Sequence, residues 1–112
     1  MLQLQPADLS QWFATHEGRR PVVLDVREPH EFETASPAED PAFDLIRMPM
    51  RGVPARLDEL DKTQPIACLC HHGARSAQVA MYLENMGYLH VANISGGIDA
   101  WATQLEPTLA RY

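Results

Sequence analysis

Three strand-like stretches, "PVVLDV" (21–26), "PIACL" (65–69) and "LHVANI" (89–94), constrain this chain most, the first two as largely apolar runs. The first two do not alternate in the manner of a strand with one wet face, so they read as buried strands, and 89–94 reads as a further strand. Helical patterns fall between and after them. Residues 74–86 carry the clearest, with Val79, Leu83 and Met86 on one face and Gly87 as a cap just past the end. In "VPARLDEL" (53–60), Val53, Leu57 and Leu60 share a face behind Pro54, and in "GGIDAWATQL" (96–105) Ile98, Trp101 and Leu105 do so. Leu9, Trp12 and Phe13 mark a further helix after Pro6, ended by Gly18. Short strands are expected at Leu2–Leu4 and at "LIRM" (45–48). "REPHEFETA" (27–35) reads as a turn and short helix, "SPAEDPAFD" (36–44) as a loop, and "EPTLARY" (106–112) as a loose surface segment. Strands alternating with helices predict an α/β fold: a central, mostly parallel five-stranded sheet with helices on both faces.

Bulk properties narrow the setting. A length of 112 residues suits one domain. A net charge of −6, with no block of like charges, argues against nucleic acid as the main partner. No basic and apolar leader pattern opens the chain, and no apolar run approaches the roughly 20 residues of a membrane span. The expectation is a cytoplasmic, monomeric protein without membrane contact. Two cysteines make no disulfide framework, and in a reducing compartment a reactive or buried thiol is expected.

Ligands of parallel α/β sheets bind beyond the carboxyl ends of the strands. "DVRE" (25–28) and "CHHGAR" (70–75) both lie at such ends. Cys70 sits where a buried strand leaves the sheet, and a helix starts near Arg75 or Ser76. Free amides and a positive dipole at that helix start favour a sulfur anion. Gly73 lets the loop curl its N–H groups inward, and Arg75 adds a permanent positive charge. A zinc site from Cys68, Cys70, His71 and His72 fits less well. Adjacent histidines rarely share one tetrahedron, and His16, His30 and His90 are scattered. A redox pair is also weaker: Cys68 and Cys70 form C-x-C rather than C-x-x-C, and Cys68 belongs inside the apolar strand as a core residue.

The ordered blocks "VVLDVRE" (22–28), "PARLDEL" (54–60), "CHHGARSAQVAMYLENMGY" (70–88) and "ISGGIDAW" (94–101) resemble the single-domain rhodanese family of sulfurtransferases. The resemblance spans about residues 4–106 of a single domain and leaves 107–112 as a tail. It implies a rhodanese fold and transfer of a sulfane sulfur through a Cys70 persulfide by a ping-pong route. The implied donor is a small molecule such as thiosulfate or a persulfide. The implied acceptor is cyanide in vitro, or a thiol or protein acceptor in vivo. No metal or organic cofactor is implied. The backbone of His71, His72, Gly73, Ala74 and Arg75, leading into Ser76, is implied to cradle the persulfide. Asp25 is expected to brace that loop, and Arg27 to approach the pocket rim. The His71 and His72 side chains are candidates for substrate contact or simply face solvent. Trp101 and Met81 are assigned to the core. "IRMPMRG" (46–52) departs from the family pattern, with Arg47 where many members carry His, and Arg51 adds charge near the mouth. A related phosphatase loop is one residue longer than the six from Cys70 to Arg75, and Leu69 stands where that class has His. A non-enzymatic or sulfur-relay protein-binding module is the alternative from another class.

Overall fold

The computed structural model describes residues 1–16 and 18–112. Its strands are β1 (Leu2–Leu4), β2 (Val22–Asp25), β3 (Asp44–Arg47), β4 (Pro65–Leu69) and β5 (His90–Ile94). They form one sheet in the order β1-β5-β4-β2-β3, and every neighbouring pair is parallel. The helices are α1 (Leu9–Ala14), α2 (Pro29–Thr34), α3 (Ala74–Asn85) and α4 (Gly97–Gln104). The three strand-like stretches take the middle of the sheet, where each residue of β2 and β4 is buried.

Side chains alternate across the sheet and feed two cores. Val22, Leu24, Ile66, Cys68 and Cys70 meet Val79, Ala80 and Leu83 of α3 on one face. Val23, Ala67, Leu69 and Ile94 meet Leu9, Phe13, Ile98 and Trp101 of α1 and α4 on the other. The two-faced α/β expectation therefore holds. Among the described residues, no helix is long and apolar enough to cross a membrane.

Three expectations need correction. Residues Pro54–Glu59 form a 3-10 helix, interrupted at Arg56 (φ −117°, ψ 17°), rather than an α-helix. Its flanking and inner apolar residues, Val53, Leu57 and Leu60, still reach the α3-side core, and the break at Arg56 keeps the run from continuing as one regular helix. Met81 is 54% exposed rather than core. It lies two positions from both Val79 and Leu83, which puts it on the opposite side of α3. Met86, just past the last turn, is exposed as well.

The segment after α4 is not loose. Trp101 Nε1 donates to Glu106 Oε2 at 2.6 Å, and Leu109 packs on the α1–α4 core. Arg111 donates twice to Asp99 Oδ1, at 2.9 and 2.8 Å. The alternation of apolar, charged and aromatic groups in this segment supplies anchors that a composition-based reading passes over.

Candidate active site

β4 ends at Leu69, so Cys70 is the first residue past the sheet, and α3 begins four residues later at Ala74. Gly73 caps α3 with φ +109°, a conformation that L side chains rarely adopt. That turn aims its own N–H at the cysteine: Gly73 N lies 3.1 Å from Cys70 Sγ. Ser76 Oγ, in the first turn of α3, lies 3.2 Å from the same sulfur. The Gly73 amide hydrogen and a helix start thus converge on one sulfur atom that Ser76 Oγ also touches, which favours a sulfur anion there; the single Ser76 hydroxyl hydrogen serves either that sulfur or Asn93 Oδ1 of β5.

The loop backbone is splinted from below by the start of α4. Ile98 N donates to the Cys70 carbonyl at 2.8 Å, and Asp99 N donates to the His71 carbonyl at 3.2 Å. Those carbonyls are thereby turned away from the sulfur side. Gly97 makes the approach possible. A Cβ there would stand 2.4 Å from both the Cys70 and His71 carbonyl oxygens, and its φ is +58°. This contact explains why the Gly-Gly block accompanies the cysteine motif.

Behind Ser76 lies a residue that the sequence reading missed. Asn93, buried in β5, has its Oδ1 2.5 Å from Ser76 Oγ. Its Nδ2 donates to the Gly73 carbonyl (3.1 Å) and to Gln3 Oε1 (3.0 Å), which fixes the amide orientation. The available signal was a polar residue inside an otherwise apolar strand, which must find partners when buried.

The charged residues are arranged differently from expectation. Arg27 is not at a pocket rim; both it and Asp25 are 0% exposed. Arg27 donates Nε and Nη2 to the two Asp25 oxygens at 2.9 and 2.7 Å, and Nη2 also reaches the Ala35 carbonyl at 2.8 Å. Its Nη1 reaches the Glu31 carbonyl at 3.2 Å and Tyr112 Oη at 2.9 Å. Asp25 accepts from the Arg27 side chain and backbone N–H, so it braces its own turn rather than the cysteine loop.

Arg75 does not stand as a free cation at the mouth. It forks onto Glu31 at 2.7 and 2.9 Å. Glu31, the second missed residue, is buried, and its Oε2 accepts the Glu28 N–H in a capping box at the start of α2. The Arg75 guanidinium holds the Glu31 carboxyl well below its ordinary value of 4.5, at about 2. A depressed native value stabilises the fold above the ordinary value and loses that contribution as pH falls through the native one. Between pH 4.5 and 2, Glu31 is expected to supply roughly 2–3 kcal/mol of the acid-induced loss, discounted for the partial exposure of Arg75. Urea unfolding of Glu31→Gln should show a shallower decline across that window. A decline parallel to the wild type would reject the assignment.

His71 and His72 stack on each other, with His72 exposed. Arg47 lies over the Phe32 ring at 5.7 Å, and Arg51 is exposed. Cys68 is buried, and burial, with Cys70 nearby, pushes its thiol far above the ordinary range. Among the described residues, no group of three His, Cys, Asp or Glu side chains is placed to hold a metal ion.

Known proteins are similar to this chain in sequence and fold. The rhodanese-like domain model matches residues 6–104. A sulfurtransferase of Allochromatium vinosum is 34% identical over 108 residues, covering 96% of this chain and 94% of the relative. The thiosulfate sulfurtransferase GlpE of Vibrio cholerae is 27% identical over 94 residues, 84% of each chain. The crystal structure of a rhodanese-related protein from Thermoplasma volcanium superposes with a TM-score of 0.77 at 28% identity, over 100% of both chains. With the family model matched over most of its length and a relative 34% identical along nearly all of it, the chain belongs to the rhodanese-like domain family.

Proposed function

We propose that this domain is a cytoplasmic, monomeric sulfurtransferase that carries sulfur as a persulfide on Cys70. The observation that carries the reading is the convergence of Gly73 N–H and Ser76 Oγ on Cys70 Sγ at the head of α3. The Cys70 thiolate attacks the outer sulfur of thiosulfate. A new S–S bond forms, the old one breaks, and sulfite leaves with its electron pair. The amides of the 71–75 loop and the dipole of α3 hold the negative charge of the resulting persulfide. An acceptor nucleophile, cyanide in an assay or a thiol in the cell, then attacks the terminal sulfur, and Cys70 leaves as thiolate.

In this scheme Gly97 and Asn93 keep the loop in shape, and the Glu31–Arg75 fork ties it to α2. Asp25 and Arg27 act one layer further out, as structural support. The relative named as a thiosulfate sulfurtransferase supports thiosulfate as the donor. The test is an intact mass measurement after incubation with thiosulfate. A gain of one sulfur atom that disappears on adding cyanide is the expected result. No gain in the folded protein would remove the reading.

A further inference from the structure

The candidate nucleophile is closed off, because Cys70 is 1% exposed. Beside it stands a column of three rings. His71 lies 3.9 Å from His72 with the planes 25° apart, and 3.9 Å from Tyr112 with the planes 10° apart. Two near-parallel rings at that distance cannot share one face of an imidazole. Tyr112 and His72 therefore take opposite faces, and His71 is clamped between them.

Tyr112 is fastened by its hydroxyl. Oη accepts from Arg27 Nη1 at 2.9 Å and donates to Glu31 Oε1 at 3.0 Å. The same Glu31 holds Arg75, so Tyr112 docks on the groups that frame the loop. The Arg111–Asp99 pair clips the segment to the turn whose amide holds the His71 carbonyl. The partners of the Tyr112 hydroxyl are buried, but the Arg111–Asp99 pair is exposed and Tyr112 itself is 40% exposed, so the segment can be released from its solvent side.

The clamp also leaves a polar atom without a partner. His71 Nε2 is buried and makes no hydrogen bond. Such an atom costs free energy until water or a ligand pairs with it. The docked state is closed and unsatisfied; an undocked state would relieve the nitrogen and open the loop.

We infer that Tyr112 is a specificity-determining residue: docked on His71 it shuts off Cys70, and undocked it frees His71 Nε2 to hydrogen-bond an oxygen of an anionic sulfur donor. The donor half rests on the sulfurtransferase reading, whereas the access half does not. The test therefore starts with the alkylation rate of Cys70 by iodoacetamide, followed at that residue by peptide mass spectrometry across a pH series. Tyr112→Ala is expected to raise the plateau rate roughly ten-fold without moving the pH midpoint. Tyr112→Phe, which keeps the stack and loses both hydroxyl bonds, should fall between it and the wild type. A plateau within about two-fold of wild type in Tyr112→Ala, or a midpoint shift alone, overturns the inference.

For the donor half, KM for thiosulfate should fall in Tyr112→Ala and rise again in Tyr112→Ala/His71→Ala, while alkylation stays fast. An unchanged KM on removing His71 overturns that half. Absence of sulfur transfer in every protein, wild type included, would strike the sulfurtransferase reading and leave the alkylation result standing.

Discussion

Cys70→Ser is expected to lower thiosulfate:cyanide sulfur transfer by roughly three orders of magnitude or more, because the hydroxyl is too weak a nucleophile to take the sulfur. Intact mass spectra of this variant should show no added sulfur after thiosulfate. The control is Cys68→Ser. Cys68 faces the α3 core, fully buried, and burial keeps its thiol protonated. That variant should load sulfur on Cys70 as before. Its cost should appear in stability, about 1–3 kcal/mol for a buried hydroxyl lacking a partner. Full activity in Cys70→Ser would end the persulfide mechanism. Comparable losses in both variants would instead require two thiols.

The largest stability effect is expected at Arg27. Arg27→Met leaves the Asp25 carboxylate fully buried without its cation and strips a donor from the Ala35 and Glu31 carbonyls. Breaking a buried pair from one side costs about 3–5 kcal/mol, against about 5–15 kcal/mol for a whole domain. Urea denaturation should show this as a lower midpoint at unchanged slope. The double variant Asp25→Asn/Arg27→Met should recover part of the loss, since no charge is then stranded. A loss under about 1 kcal/mol in Arg27→Met would mean that the pair carries little of the fold.

What could be read in advance follows from range. The strands and α3 were legible because their signals, apolar runs and helical spacing, are local. The position of the cysteine loop at a strand end was legible because Cys70, Gly73 and Ser76 lie close together in sequence, whereas the pairing of Arg75 was not. The misplacements share the opposite property. Arg27 is buried because its donors find Asp25, Glu31 and Ala35 within eight residues and Tyr112 85 residues away, a set that closes only when Tyr112 folds back. Glu31 and Arg75 pair across 44 residues, and Ser76 and Asn93 across 17. No spacing rule marks such partners, and a charged side chain taken alone is rightly expected at a surface. Met81 failed for a local reason: its type suggested core, while its phase on α3 pointed outward.

The glycine contact between α4 and the cysteine loop bears on when the thiol becomes reactive. The carbonyls of Cys70 and His71 are held by amides of Ile98 and Asp99, nearly thirty residues later in the chain. A growing or partly unfolded chain has the cysteine but lacks the mould that shapes its surroundings. Under the proposed function, sulfur loading therefore depends on α4 being docked against the loop, and a copy in which α4 is displaced lacks the shaped site.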